Sequence, residues 1–386
     1  MPFWLRISET EMNEQDLLYT IALSKVPYLN AQHLCILLDE LGNATQVYEH
    51  RLDILSVLPQ ASPRLQKALA QLDELIPKAE EELRFAQTEH IQCLTRQDKA
   101  YPQRLKECPD APIVMYYRGT SDLNSKHIVS VVGTRQITEY GKDLCHHFCK
   151  DLSQILPDSI VVSGLAYGVD IHAQRAALEC GLETIGVMAH GLDTIYPLSH
   201  RSWATKMQEQ GGLLTEFPSK TIIDKHNFVQ RNRIVAGISS ATIVIESASK
   251  GGSLITAEIA NSYNRDVFAF PGRVKDIYSE GCNDLIREQK AQLITSAEDF
   301  VSAVGWFSDV ERKKKLQEGT QQEFLPMISE KEQRIIDALK NSDGKQVNLL
   351  CVQTNLPVGE LSGLLFELEM KGVVKMLSGG VYRLLS

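Results

Sequence analysis

The sequence predicts an α/β protein. An extended Rossmann-like parallel sheet is flanked by an N-terminal helical domain, like a sterile alpha motif or a helix-hairpin-helix, and by a C-terminal winged helix. Three observations carry this expectation. Apolar residues recur at helical spacing through the first hundred positions. From about Lys126, short β-branched runs alternate with amphipathic segments, the pattern of a sheet buried on both faces by helices. Beyond a polar, charged stretch at 308–325, three helical segments lead into two short strands joined by Ser378-Gly-Gly380.

At 386 residues the chain is too long for one small core. The expected division is a helical domain at 1–100, the Rossmann-like domain at 101–307, a linker at 308–325 and the winged helix at 326–386. With 43% hydrophobic and 23% charged residues, the composition is that of an ordinary globular protein. A net charge of −9 excludes a uniformly basic nucleic-acid coat, but a basic groove can sit on an acidic body. No apolar run is long enough to span a bilayer, and the first residues lack a signal-peptide layout. Eight cysteines without a CxxC pair suit a reducing compartment, so a cytoplasmic location with no membrane partner is expected. Cys145 and Cys149, one helical turn apart around His146 and His147, could hold a metal. No second ligand cluster joins them, and buried helix cysteines are the commoner reading, so neither metal nor cofactor is expected.

In the helical domain, segments 16–24, 31–41 and 63–86 carry the helical spacing. The first two flank a hairpin at 25–30 that lacks the glycines a backbone needs to approach phosphate, which points to packing or a weak accessory surface. Strands are expected at 128–132, 160–162, 183–187, 241–245 and 266–269. Helices are expected at 330–340, 346–353 and 358–371. The last, where a winged helix would meet DNA, carries three Glu and one Lys and is poor chemistry for phosphates.

Ligands of doubly wound sheets sit at the carboxyl ends of the strands, so the loops there hold the chemistry. Gly133, Thr134 and Arg135 follow the first strand and precede a helix, which offers a tight turn, a helix N-terminus and a guanidinium fork. Ser163-Gly164 opens the next loop, where Asp170 is expected to cap the following helix. Lys250-Gly-Gly-Ser-Leu-Ile-Thr256 brings Gly252, Ser253 and Thr256, and Phe270-Pro-Gly-Arg273 follows the next strand. Each loop alone reads as an ordinary turn, whereas four along one edge describe a row of phosphate pockets. The segment Phe228-Val-Gln-Arg-Asn-Arg-Ile-Val-Ala-Gly237 completes the set. Lys225, Arg231 and Arg233 can neutralise phosphates, Asn232 can hydrogen-bond, and Phe228 can stack on an unpaired base. A row suits a polymer better than one nucleotide. No catalytic set emerges: there is no Walker A motif and no Ser-His-Asp grouping, and His172, His190, His200 and His226 read as structural.

These motifs resemble the DprA/Smf family, the DNA processing protein A of bacterial natural transformation. The resemblance rests on Val132-Gly-Thr-Arg135, Ser163-Gly-Leu-Ala-Tyr-Gly-Val-Asp170, Gly191-Leu-Asp193 with Tyr196-Pro197, and the Phe228 segment. It continues through Gly252-Ser-Leu-Ile-Thr-Ala257, Phe270-Pro-Gly272 and Ser279-Glu-Gly-Cys-Asn-Asp-Leu-Ile286. The first loop often reads Gly-Ser-Arg in the family, and a glycine usual near the domain end is Lys290 here. The resemblance implies a non-enzymatic recombination mediator that binds single-stranded DNA, displaces single-strand-binding protein and loads RecA. It implies that Arg135, Lys225 and Phe228 hold the strand, with the Gly-Ser-Leu-Ile-Thr loop and both arginines of Arg-Asn-Arg in the same groove. It also implies a homodimer formed through about 283–300, with Asn283, Leu285, Ile286 and Leu293 at the interface. The alternative is a lysine-decarboxylase-like glycosidase acting on nucleoside monophosphates, with Glu258 as its acid. Its PGGxGTxxE motif is matched only loosely by Gly251-Gly-Ser-Leu-Ile-Thr-Ala-Glu258.

Overall fold

The computed structural model describes residues 14–27, 29–306, 329–340, 344–370, 373–377 and 380–384. The expected linker at 308–325 lies outside these. The chain forms two compact units, Met1–Trp306 and Phe307–Ser386.

The first unit begins with helices α1 (Glu14–Ser24), α2 (Ala31–Leu41), α3 (Ala44–Glu49), α4 (Ile54–Val57), α5 (Pro63–Leu69) and α6 (Leu72–Thr88). Asn30 and Asn43 cap α2 and α3 by accepting the amides of His33 and Gln46, each at 2.8 Å. The single helix expected at 63–86 is broken into two at residues 70–71. Glu82 docks α6 onto the rest of the unit: its buried carboxylate accepts the Ser219 amide at 2.9 Å and hydroxyl at 2.8 Å.

The sheet follows, with β1 (Gln92–Thr95), α7 (Gln103–Lys106), β2 (Val114–Gly119), β3 (Ile128–Val132), α8 (Glu139–Ile155), β4 (Ile160–Ser163), α9 (Val169–Glu179) and β5 (Glu183–Val187). It continues with α10 (Arg201–Glu209), β6 (Gly211–Thr215), α11 (Lys225–Ile238), β7 (Ala241–Val244), α12 (Gly252–Ser262) and β8 (Asp266–Ala269). Last come α13 (Glu280–Arg287), β9 (Gln292–Leu293) and α14 (Ala297–Val304). The nine strands run in the order β1-β2-β6-β5-β4-β3-β7-β8-β9. From β6 to β9 neighbours are parallel, while β1 and β2 extend the sheet in antiparallel pairing. All five expected strands are present. β1, β2, β6 and β9 were not expected, and β1 places a strand inside the stretch read as helical. β3, β4 and β7 are buried along their whole length, as a sheet covered on both sides requires. Successive residues serve opposite faces: Val114 and Tyr116 pack in one apolar cluster, Met115 and Tyr117 in the other. The order reverses between β3 and β7, and that crevice is where such a sheet receives a ligand.

The second unit holds α15 (Glu330–Leu339), β10 (Lys345–Gln346), α16 (Val347–Thr354), α17 (Val358–Met370), β11 (Val374–Leu377) and β12 (Val381–Leu384). Ser329 and Glu332 close a capping box at the start of α15. Three helices and a three-stranded antiparallel sheet, β10-β12-β11, make a winged helix around Ile335, Leu339, Leu350, Leu361, Leu365 and Leu368. β10 adds a strand to the expected hairpin. No single helix among the described residues is long and apolar enough to cross a membrane.

Candidate nucleic-acid interface

A cleft of about 550 Å³ opens at the reversal point, and it gathers the loops after β3, β4 and β7 against one face of α11. Gly133, Thr134, Arg135, Lys225, Phe228, Arg231, Asn232, Gly252, Ser253 and Thr256 all line it. Its geometry follows from backbone packed too tightly for side chains. A Cβ at Gly133 would lie 2.4 Å from Val169 Cγ2, and one at Gly168, whose φ is 80°, would lie 2.1 Å from the Thr134 carbonyl. The Thr134 amide donates to the Glu246 carbonyl at 2.7 Å, and the Val169 amide donates to the Thr134 carbonyl at 3.0 Å. The loop that carries Arg135 is thus pinned to the ends of β7 and α9.

Arg135 itself is exposed, with its guanidinium carbon 5.6 Å from the centroid of the Phe228 ring. On another side of that ring lies Tyr196, at 5.9 Å between centroids and inclined by 64°. Lys225 is the first residue of α11, whose N-cap Asp224 accepts the His226 amide at 2.7 Å. Arg135 and Lys225 form no ion pair among the described residues. Deeper in the cleft, Arg231 is only 4% exposed, and its Nε has no hydrogen-bond partner. It lies flat on Gly164, where a Cβ would fall 1.3 Å from Nη1. Burial pushes its guanidinium below the usual arginine value, and the charge of Asp170 opposes that. Opposite, Gly251 caps the N-terminus of α12, which turns its free amides to the cleft.

Three expected residues are placed elsewhere. Ser163 is buried and donates its hydroxyl to the Val131 carbonyl at 2.6 Å. Gly164 is buried and serves as the seat for Arg231. Arg233 faces away from the cleft: it pairs with the buried carboxylate of Glu216 and donates to the Asp110 carbonyl at 2.6 Å. Residues two apart on a helix point about 200° apart, so Arg231 and Arg233 cannot share one groove. Asp170 is not the cap of α9 either; that place is taken by Gly168, while the Asp170 carboxylate accepts the Gly164 amide at 3.1 Å. Burial pushes the Asp170 carboxyl up, against the pull of Arg231. Tyr196, absent from the expected set, enters from the loop after β5. Its place in the quoted Tyr196-Pro197 motif is the sequence signal that could have marked it.

The other expectations fall as follows. Cys145 and Cys149 are buried, with thiols pushed up by burial, and no group of three or more metal-ligating side chains forms among the described residues. His190 and His200 donate through Nδ1 to the carbonyls of Gly191 at 2.8 Å and Leu165 at 2.9 Å. Glu258 is exposed on α12 and lies outside the cleft lining. Of the four residues expected at a dimer interface, Leu285 is 5% exposed and packs in the core of this chain. Asn283 is engaged internally, exchanging hydrogen bonds with the amide and carbonyl of Gly272 at 3.2 and 3.1 Å. Ile286 is half-buried against the same core, and Leu293 is 46% exposed on the edge strand β9.

Comparison with known proteins matches this architecture over both units. The model of the family described as DNA recombination-mediator protein A matches residues 92–305, and that of the DprA winged helix domain matches residues 325–380. Protein Smf of Synechocystis is 32% identical, over 77% of this chain and 81% of its own. The crystal structure of DNA processing protein A from Streptococcus pneumoniae superposes with a TM-score of 0.63 at 31% identity, covering 74% of this chain and 96% of that one. The Helicobacter pylori protein, whose structure was described for its single-stranded DNA binding mode, superposes with a TM-score of 0.50 at 29% identity. It covers 55% of this chain and 95% of its own. The chain therefore belongs to the DNA recombination-mediator protein A family of DNA processing proteins.

Proposed function

We propose that this protein binds single-stranded DNA in the Arg135–Phe228 cleft and acts without catalysis as a recombination mediator. In this reading it displaces single-strand-binding protein and loads RecA onto incoming DNA during natural transformation, in the cytoplasm and as a homodimer. The division into helical, Rossmann-like, linker and winged-helix parts belongs to the same proposal.

The observation that carries the reading is the contact of Arg135 with the Phe228 ring beside Lys225, neither cation forming an ion pair among the described residues. An exposed cation–π contact is worth about 0.5–1 kcal/mol, so a phosphate can draw the guanidinium aside and a base can take its place on the ring. Lys225 meets the neighbouring phosphate at the mouth. Arg231, buried with an unpartnered Nε, meets one at depth, where reduced solvation strengthens the attraction. Asn232, the first-turn amides of Gly252 and Ser253 and the Thr256 hydroxyl supply neutral donors.

Fluorescence anisotropy of labelled oligo-dT against a matched duplex, at two salt concentrations, tests this. Salt-sensitive binding that prefers the single strand is expected. Phe228→Ala should weaken it by about 1–3 kcal/mol. Arg135→Ala should reduce the slope of log affinity against log salt by about 0.7, the share of one phosphate. Equal binding by Phe228→Ala and the unaltered protein would place the strand elsewhere.

A further inference from the structure

A second cleft, of about 890 Å³, lies at the same end of the sheet, outside β3, β7 and β8. Its lining includes Tyr140 at the start of α8 and Arg273, Lys275, Ile277 and Tyr278 from the loop between β8 and α13. None of these belongs to the first cleft. The two clefts nevertheless share a wall. The loop after β3 gives Gly133–Arg135 to the first and Thr138–Tyr140 to the second. Between them Gln136 is hydrogen-bonded to the Tyr278 hydroxyl. Beneath, the Ser247 amide donates to the Tyr278 carbonyl at 2.7 Å, and the Ser247 hydroxyl accepts from Ser253 of the first cleft at 2.9 Å. One bonded partition therefore separates two openings on one edge.

We propose that the single strand continues over this partition and that the second cleft binds its next nucleotides. The inference rests on the single-strand reading of the first cleft. Arg273 and Lys275 are exposed and form no ion pair among the described residues, so both are available to phosphates. Tyr140 is 49% exposed, with its hydroxyl tied to the Pro271 carbonyl at 3.1 Å, which holds an aromatic surface in place beside them. Val274 and Ile277, 91% and 70% exposed, are apolar side chains that a polar surface loop does not need and that unstacked bases can cover. Nearby negative charge is largely committed. Glu139 pairs with Lys142 at 2.6 Å, and buried Glu246 accepts the Thr138 amide at 2.9 Å and hydroxyl at 2.5 Å. Asp276 remains as an exposed carboxylate in the same lining as the two cations.

The test is anisotropy binding of oligo-dT strands of about five and about fifteen nucleotides, lengths that bracket the span of single-strand grooves. The double variant Arg273→Ala, Lys275→Ala should bind the short strand like the unaltered protein. It should bind the long strand several-fold more weakly, with a salt slope smaller by about 1.4 for two lost phosphates. Asp276→Asn should tighten the long strand alone. All three side chains are exposed, so the fold is not at risk. Phe228→Ala, by contrast, should weaken both lengths. Long-strand affinity and slope unchanged in the double variant, with Phe228→Ala still effective, would overturn the second cleft and spare the first. Failure of the unaltered protein to bind either length would overturn both.

Discussion

Two arginines separated by one residue have opposite fates here. Arg231 is buried in the cleft lining with an unpartnered Nε, whereas Arg233 is committed to Glu216. Burial pushes the Glu216 carboxyl up, and the Arg233 charge opposes this. Removing one partner of a buried pair costs about 3–5 kcal/mol because the other is left uncompensated. Arg233→Ala should therefore lower the urea midpoint sharply. The folded fraction should bind oligo-dT with its salt slope intact. If the slope fell with stability unchanged, Arg233 would be a phosphate ligand after all.

At the scale of elements, α11 carries the site on one helical face. Lys225, Phe228, Asn232 and Val235 recur at spacings of three and four and line the cleft, while Gln230 and Arg233 line a pocket on another face. Asp224 caps the helix but also puts a negative charge at the cleft mouth. Asn caps a helix about as well as Asp. Asp224→Asn should thus keep the thermal midpoint and tighten single-strand binding, most at low salt, whereas Asp224→Ala should lose about 1 kcal/mol of stability. Lys225 and Phe228 were legible in the sequence from residue type, a cation three positions ahead of a ring, whereas the helix that carries them was not predicted. The helical period separates Arg231 from Arg233, a distinction that reading the motif as a string of basic residues overlooks. The five central strands were legible from β-branched runs that need burial on both faces. β6 was not, since its Gly211-Gly212 start reads as a turn, yet Gly212 is where a Cβ would strike the Tyr117 ring at 2.3 Å. β9 is only two residues long and β1 only four, too short for any period to show. Of the dimer residues, Leu285 shows why a motif does not reveal exposure: its place in a matching segment is explained by packing.

For the whole molecule, the buried thiols set a limit on the alkaline side. Burial raises Cys108 to about 11 and Cys282 to about 12, whereas an unfolded cysteine titrates near ~8.5. With the folded value above the unfolded one, their stabilisation is complete below about 8.5 and is lost as pH rises toward the folded values. Over that window the unfolded chain has released protons that the native state keeps, which costs about 1.4 kcal/mol per pH unit for each thiol. Urea midpoints measured from pH ~8 to ~10.5 should fall, and Cys282→Ala should make the fall shallower by one thiol's share. An identical slope in that variant would assign the alkaline loss to other groups.

Assembly is the last property that belongs to the whole molecule. The sheet ends at β9, whose two residues are both exposed and whose outer edge pairs with no strand among the described residues. An open edge with a 46% exposed Leu293 is a surface that a second copy can cover by a two-fold axis. Such a dimer would offer two Arg135–Phe228 clefts to one strand. The second engagement would become intramolecular, raising affinity by on the order of a hundred-fold or more without a new contact. Leu293→Lys tests this without disturbing the core, which Leu285→Ala would. Sedimentation at roughly micromolar concentration should show a dimer for the unaltered protein and a monomer for the variant. The variant should lose the avidity gain for a strand long enough to reach both clefts, and it should keep the affinity for a strand that fills one. A monomeric unaltered protein would leave each cleft to act alone, and the affinity for long strands would then have to come from a longer track on a single chain.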